Sequence, residues 1–300
     1  MSTIEKTFAN GEIIIKEGDI GDSFFQLLEG KAQVFLNYGG ADQIKLTDLV
    51  PGKYFGEMAV IESYPRSSTV VADGSAKVIE IAADELKEYF EQYPEKIIDI
   101  MMCLGTRLKE LTADYDEAKQ VLAGLKDPSA DKSSFAAAIA KHLNWFKSSK
   151  RAVDKPSAEA LREAAEKISG QSDKSIEAYS KGTVIFKQGE TGKCMYMLHG
   201  GNVGIYTGYG TADQVKLTEL FPVACFGEMG MISDDARSAT AVSESDDTYV
   251  EIIRPDDLAE LFKTSPVKIE MILRYLSYRL RSLTYDYFNT CKEISDSAGA

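Results

Sequence analysis

Two stretches of the chain combine residue types that can hold a small anion. FGEMAVIESYPRSSTV occupies positions 55 to 70 and FGEMGMISDDARSATA positions 226 to 241, and in each a glutamate stands nine residues before an arginine. A buried phosphate needs a fixed cation and backbone N–H groups at a helix start, and a glycine lets the chain come close enough to supply them. Gly56 and Gly227 suit that role. The guanidinium of Arg66 or Arg237 can make two parallel hydrogen bonds to phosphate oxygens, which a lysine point charge cannot match. The carboxylate of Glu57 or Glu228, an acceptor only when ionised, suits a sugar hydroxyl. Ser67 and Ser238 add a hydroxyl beside each arginine. A surface ion pair, worth at most about 1 kcal/mol, is the bland alternative for one such stretch. Its recurrence in a second, diverged stretch argues against that alternative.

The two stretches belong to a longer repeat. Shifting the sequence by 171 residues lays 8 to 71 onto 179 to 242 without a gap, with 26 of 64 positions identical, so the chain holds two copies of one domain. In the first copy, runs such as Glu12 to Ile15, Phe24 to Leu28, Ala32 to Leu36, Ile44 to Leu46 and Lys77 to Ile81 read as short strands punctuated by glycine. The period then changes to that of an amphipathic helix. Ile97, Ile100, Leu104, Leu108, Leu111 and Tyr115 step by three and four, and Ile269, Ile272, Leu276, Leu280, Leu283 and Tyr287 repeat the steps at an offset of 172, which places one inserted residue between strands and helix.

Residues 124 to 175 are unlike either copy. Phe135, Ile139, Leu143 and Phe146 make one helical stripe, and Leu161, Ala165 and Ile168 make another after Ser157, a candidate N-cap, so a helical connector is expected. Trp145 is expected in its core. The predicted domains are therefore 1–123, a connector 124–175, and 176–300.

Composition narrows the function. The chain has 300 residues, 44% of them apolar, enough for two cores, and a formal net charge of -13 that repels phosphate polymers, so nucleic acid is an unexpected partner. Cys103, Cys194, Cys225 and Cys291 form no C-x-x-C pair and are expected as free thiols in a reduced cytoplasm. No signal-type segment or membrane span is expected. His142 and His199 are the only histidines and sit in unrelated contexts, and no hydrolase, metal or P-loop motif accompanies them. Neither enzymatic activity nor a bound metal is expected. The basic residues Lys141, Lys147, Lys150, Arg151 and Lys155 read as a solvated helix face.

The pattern F-G-E-M, followed by R-S-x-T, resembles the phosphate-binding cassette of cyclic-nucleotide-binding domains, as in the bacterial catabolite activator protein and the regulatory subunits of cyclic AMP-dependent protein kinase. The resemblance extends through the glycine-punctuated strands and the closing helix. It implies two jelly-roll β-barrels, each with a closing helix, joined by the connector. It also implies that Arg66 and Arg237 bind the cyclic phosphate and that Glu57 and Glu228 bind the ribose 2′-hydroxyl. The amides at Glu57, Met58 and Ala59, and at Glu228, Met229 and Gly230, would face the phosphate. Base lids are sought on the closing helices at Thr112, Tyr115, Thr284 and Tyr287, where for the tyrosines a place in the helix core is an equal alternative. Ala236 departs from the proline usual before the arginine and should loosen that loop.

The expected function is a cytoplasmic receptor that binds cyclic AMP or cyclic GMP at two sites and passes a conformational change through the connector to a protein partner. The closing helices offer a surface for a homodimer. The run Lys150, Arg151, Ala152, Val153 lacks the paired arginines of a kinase pseudosubstrate, and about seven residues precede the first strand, which argues against kinase regulation. Thirteen residues after Tyr287 leave no helix-turn-helix, so direct DNA binding is not expected. A scaffold with non-binding domains, or a transcription-regulator relative without its DNA-binding module, is the alternative.

Overall fold

A computed structural model describes residues 4–62, 65–127, 132–148, 176–232 and 236–298. The first repeat contains β1 (Ile4–Phe8), β2 (Ile13–Ile15), β3 (Ser23–Leu36), β4 (Ile44–Leu49), β5 (Tyr54–Phe55), the short helix α1 (Glu57–Glu62) and β6 (Thr69–Ala82). A 3-10 turn, α2 (Leu86–Gln92) and α3 (Glu95–Lys126) follow. Next come a second 3-10 turn and α4 (Ala136–Ser148). The second repeat holds β7 (Ile176–Tyr179), β8 (Val184–Phe186), β9 (Met195–Gly200), β10 (Val203–Thr207), β11 (Val215–Leu220), β12 (Cys225–Phe226), α5 (Glu228–Ile232), β13 (Thr240–Ser243) and β14 (Thr248–Ile253). It ends in a 3-10 turn, α6 (Leu258–Thr264) and α7 (Pro266–Ala298). The second connector stripe, its cap Ser157, and Lys150 to Val153 and Lys155 lie outside the described residues.

All strand pairing is antiparallel, and the two repeats solve it differently. In the first, β3 and β6, each 14 residues long, pair from Ser23↔Ala82 to Phe35↔Thr69, and the sheet order is β1-β6-β3-β4, with β2 added on β6 and β5 on β3. Register shifts at Leu27/Glu29 and Gly30/Lys31 bend this long ribbon. Gly30 has φ +82°, and a Cβ there would stand 1.8 Å from the Ser75 carbonyl oxygen, so only glycine fits the bend. In the second repeat the ribbon breaks at that place, around Gly201 and between Ser243 and Thr248. The result is two four-stranded sheets, β11-β10-β13-β8 and β12-β9-β14-β7. Of the jelly-roll barrels that the resemblance implies, the structure shows antiparallel sheets and no closed barrel: among the described residues β1 and β4, β11 and β8, and β12 and β7 are sheet edges. The apolar face of each repeat is filled by stacked aromatics, Phe25 on Phe55 at 5.4 Å in the first and Phe186, Tyr196 and Phe226 in the second.

The helical stripes fall where the periodicity puts them. Ile97, Ile100, Leu104 and Leu108 are buried on α3, and Ile269, Ile272, Leu276, Leu280 and Tyr287 on α7. The inserted residue does not fall between strands and helix as expected: Phe8 pairs with Ala76 and Tyr179 with Thr248, so the offset of 172 already holds at the start of β14 and the extra residue lies in the turn between β13 and β14. Arg254 N–H donates to Asp257 Oδ2 at 2.9 Å and so helps cap the turn before α6.

By internal contacts the chain forms two compact units. One comprises Met1–Tyr89, Arg107–Pro156 and Ser277–Ala300, the other Phe90–Thr106 and Ser157–Leu276. In the first unit, Ala118 and Val121 of α3 and Tyr287, Cys291 and Ile294 of α7 make a buried cluster to which Ile139, Leu143, Trp145 and Phe146 of α4 add half-buried side chains. His142 is fully buried there. Its Nδ1 is 2.8 Å from the Tyr287 hydroxyl, and its Nε2 lies 3.5 Å from Glu117 Oε2 without a formed hydrogen bond. Burial pushes the His142 pKa down against the pull of Glu117 and Asp114, with Lys141 adding to the depression. The Tyr287 hydroxyl is pushed up by the same burial, and the Cys291 thiol up to about 12.

A folded-state value below that of the unfolded chain means that the unfolded chain takes up the proton first, so stability falls as pH drops through the unfolded value near 6.5. We expect the melting temperature to drop between pH 7.5 and 5.5, and His142→Phe to shrink that drop. An unchanged pH dependence in the variant would show that His142 does not carry it.

Candidate functional site

Each candidate cassette begins where a strand ends on a glycine with positive φ, Gly56 at +78° and Gly227 at +71°, and turns at once into a short helix. The positive φ is needed, and so is the missing side chain. A Cβ on Gly56 would meet Arg66 Nη1 at 2.7 Å, and one on Gly227 would meet Arg237 Nη1 at 2.9 Å. In both repeats the arginine backbone is clamped by the preceding turn: Arg66 N donates to Asp19 O at 2.8 Å and Arg66 O accepts from Gly18 N at 2.9 Å, and Arg237 repeats this with Glu190 O and Gly189 N at 2.8 and 2.9 Å. The threonine three residues on tightens the clamp, because Thr69 Oγ1 accepts from Glu17 N and Thr240 Oγ1 from Gln188 N.

The arginines are 8% and 6% exposed, so each guanidinium needs partners. Arg66 donates from Nη1 to Gly56 O at 2.6 Å and from Nη2 to Ser23 O at 2.5 Å. Arg237 donates to Gly227 O at 2.5 Å and to Cys194 O at 2.9 Å, with Cys194 Sγ at 3.3 Å. It also lies over the rings of Phe186 and Tyr196, 4.5 and 5.5 Å from their centroids. Burial lowers the Arg66 pKa from its usual value, and the carboxylates of Asp22, Glu57, Glu80 and Asp19 work against that.

Glu57 is 1% exposed and Glu228 2%. Glu57 Oε1 accepts from Arg107 Nη1 of α3 at 2.6 Å, while Oε2 is buried with no hydrogen-bond partner among the described residues. A buried acceptor left unpaired costs about 1–3 kcal/mol, so this oxygen is suited to a donor from a bound molecule. The first-turn amides of α1, from Glu57 to Ala59, have no acceptor within their own helix. In the second repeat Gly230 N is instead taken up by Gly227 O at 3.2 Å. Ser67 and Ser238 are exposed beside their arginines.

The proposed base lids are placed less simply. Tyr287 is 1% exposed, its hydroxyl on His142 and its ring 4.2 Å from that of Trp145, so it is part of the helical core. The hydroxyls of Thr112 and Thr284 donate to the carbonyls of Leu108 and Leu280 one turn back on their own helices. Tyr115 is half-buried with Lys119 over its ring. Arg107 was not anticipated. Its signal was present, since R-L-x-x-L-T-x-D-Y recurs in both long helices and aligns Arg107 with Arg279.

The family described as cyclic nucleotide-binding domain matches residues 5–93 and again 176–265. Among curated proteins, the cAMP-dependent protein kinase regulatory subunit of Blastocladiella emersonii is 25% identical over 236 residues, 79% of this chain and 47% of that protein. The regulatory subunit of the same name from Dictyostelium discoideum is 23% identical over 257 residues, 85% of this chain and 64% of that protein. The chain thus spans less than two thirds of the length of either relative. Among solved structures, the regulatory domain of Toxoplasma gondii PKA with cAMP is 18% identical at a TM-score of 0.26, covering 90% of this chain and 83% of that one.

Proposed function

Because the chain belongs to the cyclic nucleotide-binding domain family and carries that domain twice, we propose that it is a receptor for a purine cyclic nucleotide, cyclic AMP first, with one site at Arg66 and one at Arg237. The observation that carries this reading is the pairing, within one cassette, of a buried guanidinium with a buried carboxylate whose Oε2 has no partner. The guanidinium and the first-turn amides would take the cyclic phosphate, and Glu57 or Glu228 the ribose 2′-hydroxyl. The arrangement favours binding over turnover, because its groups are hydrogen-bond donors and acceptors to the phosphate and sugar. In this reading α3 and α7 act as the closing helices and the strands of each repeat as its jelly roll.

The names of the two relatives make a protein kinase catalytic chain the partner class we propose, against the expectation drawn above from the N-terminal residues and from Lys150 to Val153. The nucleotide would act by changing the conformation presented to that partner, in the cytoplasm. Among the described residues no helix is long and apolar enough to cross a membrane. Titration calorimetry of the full chain with cyclic AMP, then cyclic GMP, tests the reading. Two equivalents of cyclic AMP per chain are expected. Absence of heat with either nucleotide would favour the scaffold alternative.

A further inference from the structure

The two arginines are held by matching backbone carbonyls but sit in unlike electrical surroundings. Arg66 Nη2 donates to Ser23 O, and the residue before Ser23 is Asp22, whose own carbonyl is fixed by Ala83 N at 2.7 Å. Arg237 Nη2 donates to Cys194 O, and the residue before Cys194 is Lys193. On the other side of Lys193, Gly192 runs directly against the guanidinium, its Cβ position 3.0 Å from Arg237 Nη2. Lys193 is therefore flanked by two residues in contact with the arginine. The side chains of Asp22 and Lys193 are both exposed.

The rest of the surroundings points the same way. Asp22 is foremost among the carboxylates acting on Arg66, followed by Glu57, Glu80 and Asp19. At the matching positions of the second repeat stand Lys193, Glu228, Ile252 and Glu190, Ile252 facing Tyr196 as Glu80 faces Phe25. Glu251, the neighbour of Ile252 on β14, is already held by the buried ammonium of Lys268 at 3.0 and 3.1 Å. Where the second repeat places Phe186 and Tyr196 against the cation, the first has Ile15 and Phe25. Aromatic faces hold a guanidinium without neutralising it, whereas carboxylates compete with an incoming phosphate for it.

We infer that Asp22 and Lys193 set apart the affinities of the two sites for an anionic ligand, the site at Arg237 being the tighter. This rests on the receptor reading above. A reversal of charge beside a phosphate at a partly screened surface is worth about tenfold in affinity, and it weakens as salt shortens the Debye length.

The test is calorimetry with cyclic AMP on full-length chains that each keep one site, Arg237→Ala for the first and Arg66→Ala for the second. The second site is expected to bind about tenfold more tightly at low salt. Asp22→Lys should tighten the first site by about tenfold, Asp22→Asn by about threefold, and Lys193→Asp should weaken the second by about tenfold. All three effects should shrink near 1 M salt. Changes under about twofold from both charge reversals, or changes indifferent to salt, would overturn the inference while leaving the receptor reading intact. If the unaltered chain gives no heat with cyclic AMP or cyclic GMP, the receptor reading falls and takes this inference with it.

Discussion

Replacing Arg66 with alanine is expected to weaken nucleotide binding at the first site by about tenfold to a hundredfold, and Arg237→Ala to do the same at the second, leaving the double variant without measurable binding at micromolar protein. A charge-assisted hydrogen bond contributes about 1.5 to 3 kcal/mol, and the fork of a guanidinium can make two. The gain is less than the sum, because each guanidinium already holds two carbonyls, Gly56 O and Ser23 O in one site and Gly227 O and Cys194 O in the other. A phosphate must therefore exchange partners with those carbonyls. Arg66→Lys and Arg237→Lys keep the charge and lose the fork, so they should fall between the native chain and the alanine variants. Unchanged affinity in the double alanine variant, with an unchanged melting temperature to show that it is folded, would remove both cassettes from the binding role.

The parts of this site that could be read in advance are those set by chemistry at short range. A glycine, a glutamate and an arginine at fixed spacing announce a turn, an acceptor and a forked donor. The structure brings Glu57 and Arg66 to the buried side of one cassette, and Glu228 and Arg237 to that of the other. What periodicity does not carry is the identity of a helix's neighbour. The stripe ending in Tyr115 and Tyr287 is the same whether it faces strands or other helices, so it could not tell a lid from the core that Tyr287 joins with His142 and Trp145. Arg107 went unnoticed for a related reason: an arginine on a long helix reads as solvated until a buried carboxylate is shown 2.6 Å away. How the strands are shared among sheets is likewise invisible to strand propensity. Bulges beside Gly30 let one ribbon bend without closing, and in the second repeat the break at Gly201 divides it between two sheets.

The largest single loss of stability is expected from Lys268→Met, at about 3 to 5 kcal/mol. Lys268 is fully buried at the start of α7, 3.0 and 3.1 Å from the two carboxylate oxygens of Glu251, which is 3% exposed on β14 and is also met by His199 Nε2 of β9 at 2.6 Å. Removing the ammonium leaves the buried carboxylate, among the described residues, with the His199 imidazole alone to offset its charge, and Glu251→Gln is expected to cost stability as well by removing the charge that balances the ammonium. Converting both residues to apolar ones of similar volume, Glu251→Leu with Lys268→Met, removes the charges together and is expected to recover most of the loss, since the desolvation of a buried pair offsets much of its attraction. The first repeat supplies the control. There Ile79 stands at the place of Glu251, and Lys96, at the place of Lys268, pairs with Asp99, both partly exposed, so Lys96→Met should cost less than about 1 kcal/mol. Urea unfolding followed by circular dichroism would measure all four variants. A double variant as unstable as Lys268→Met would show that packing at the head of α7, and not an uncompensated charge, is what the lysine provides.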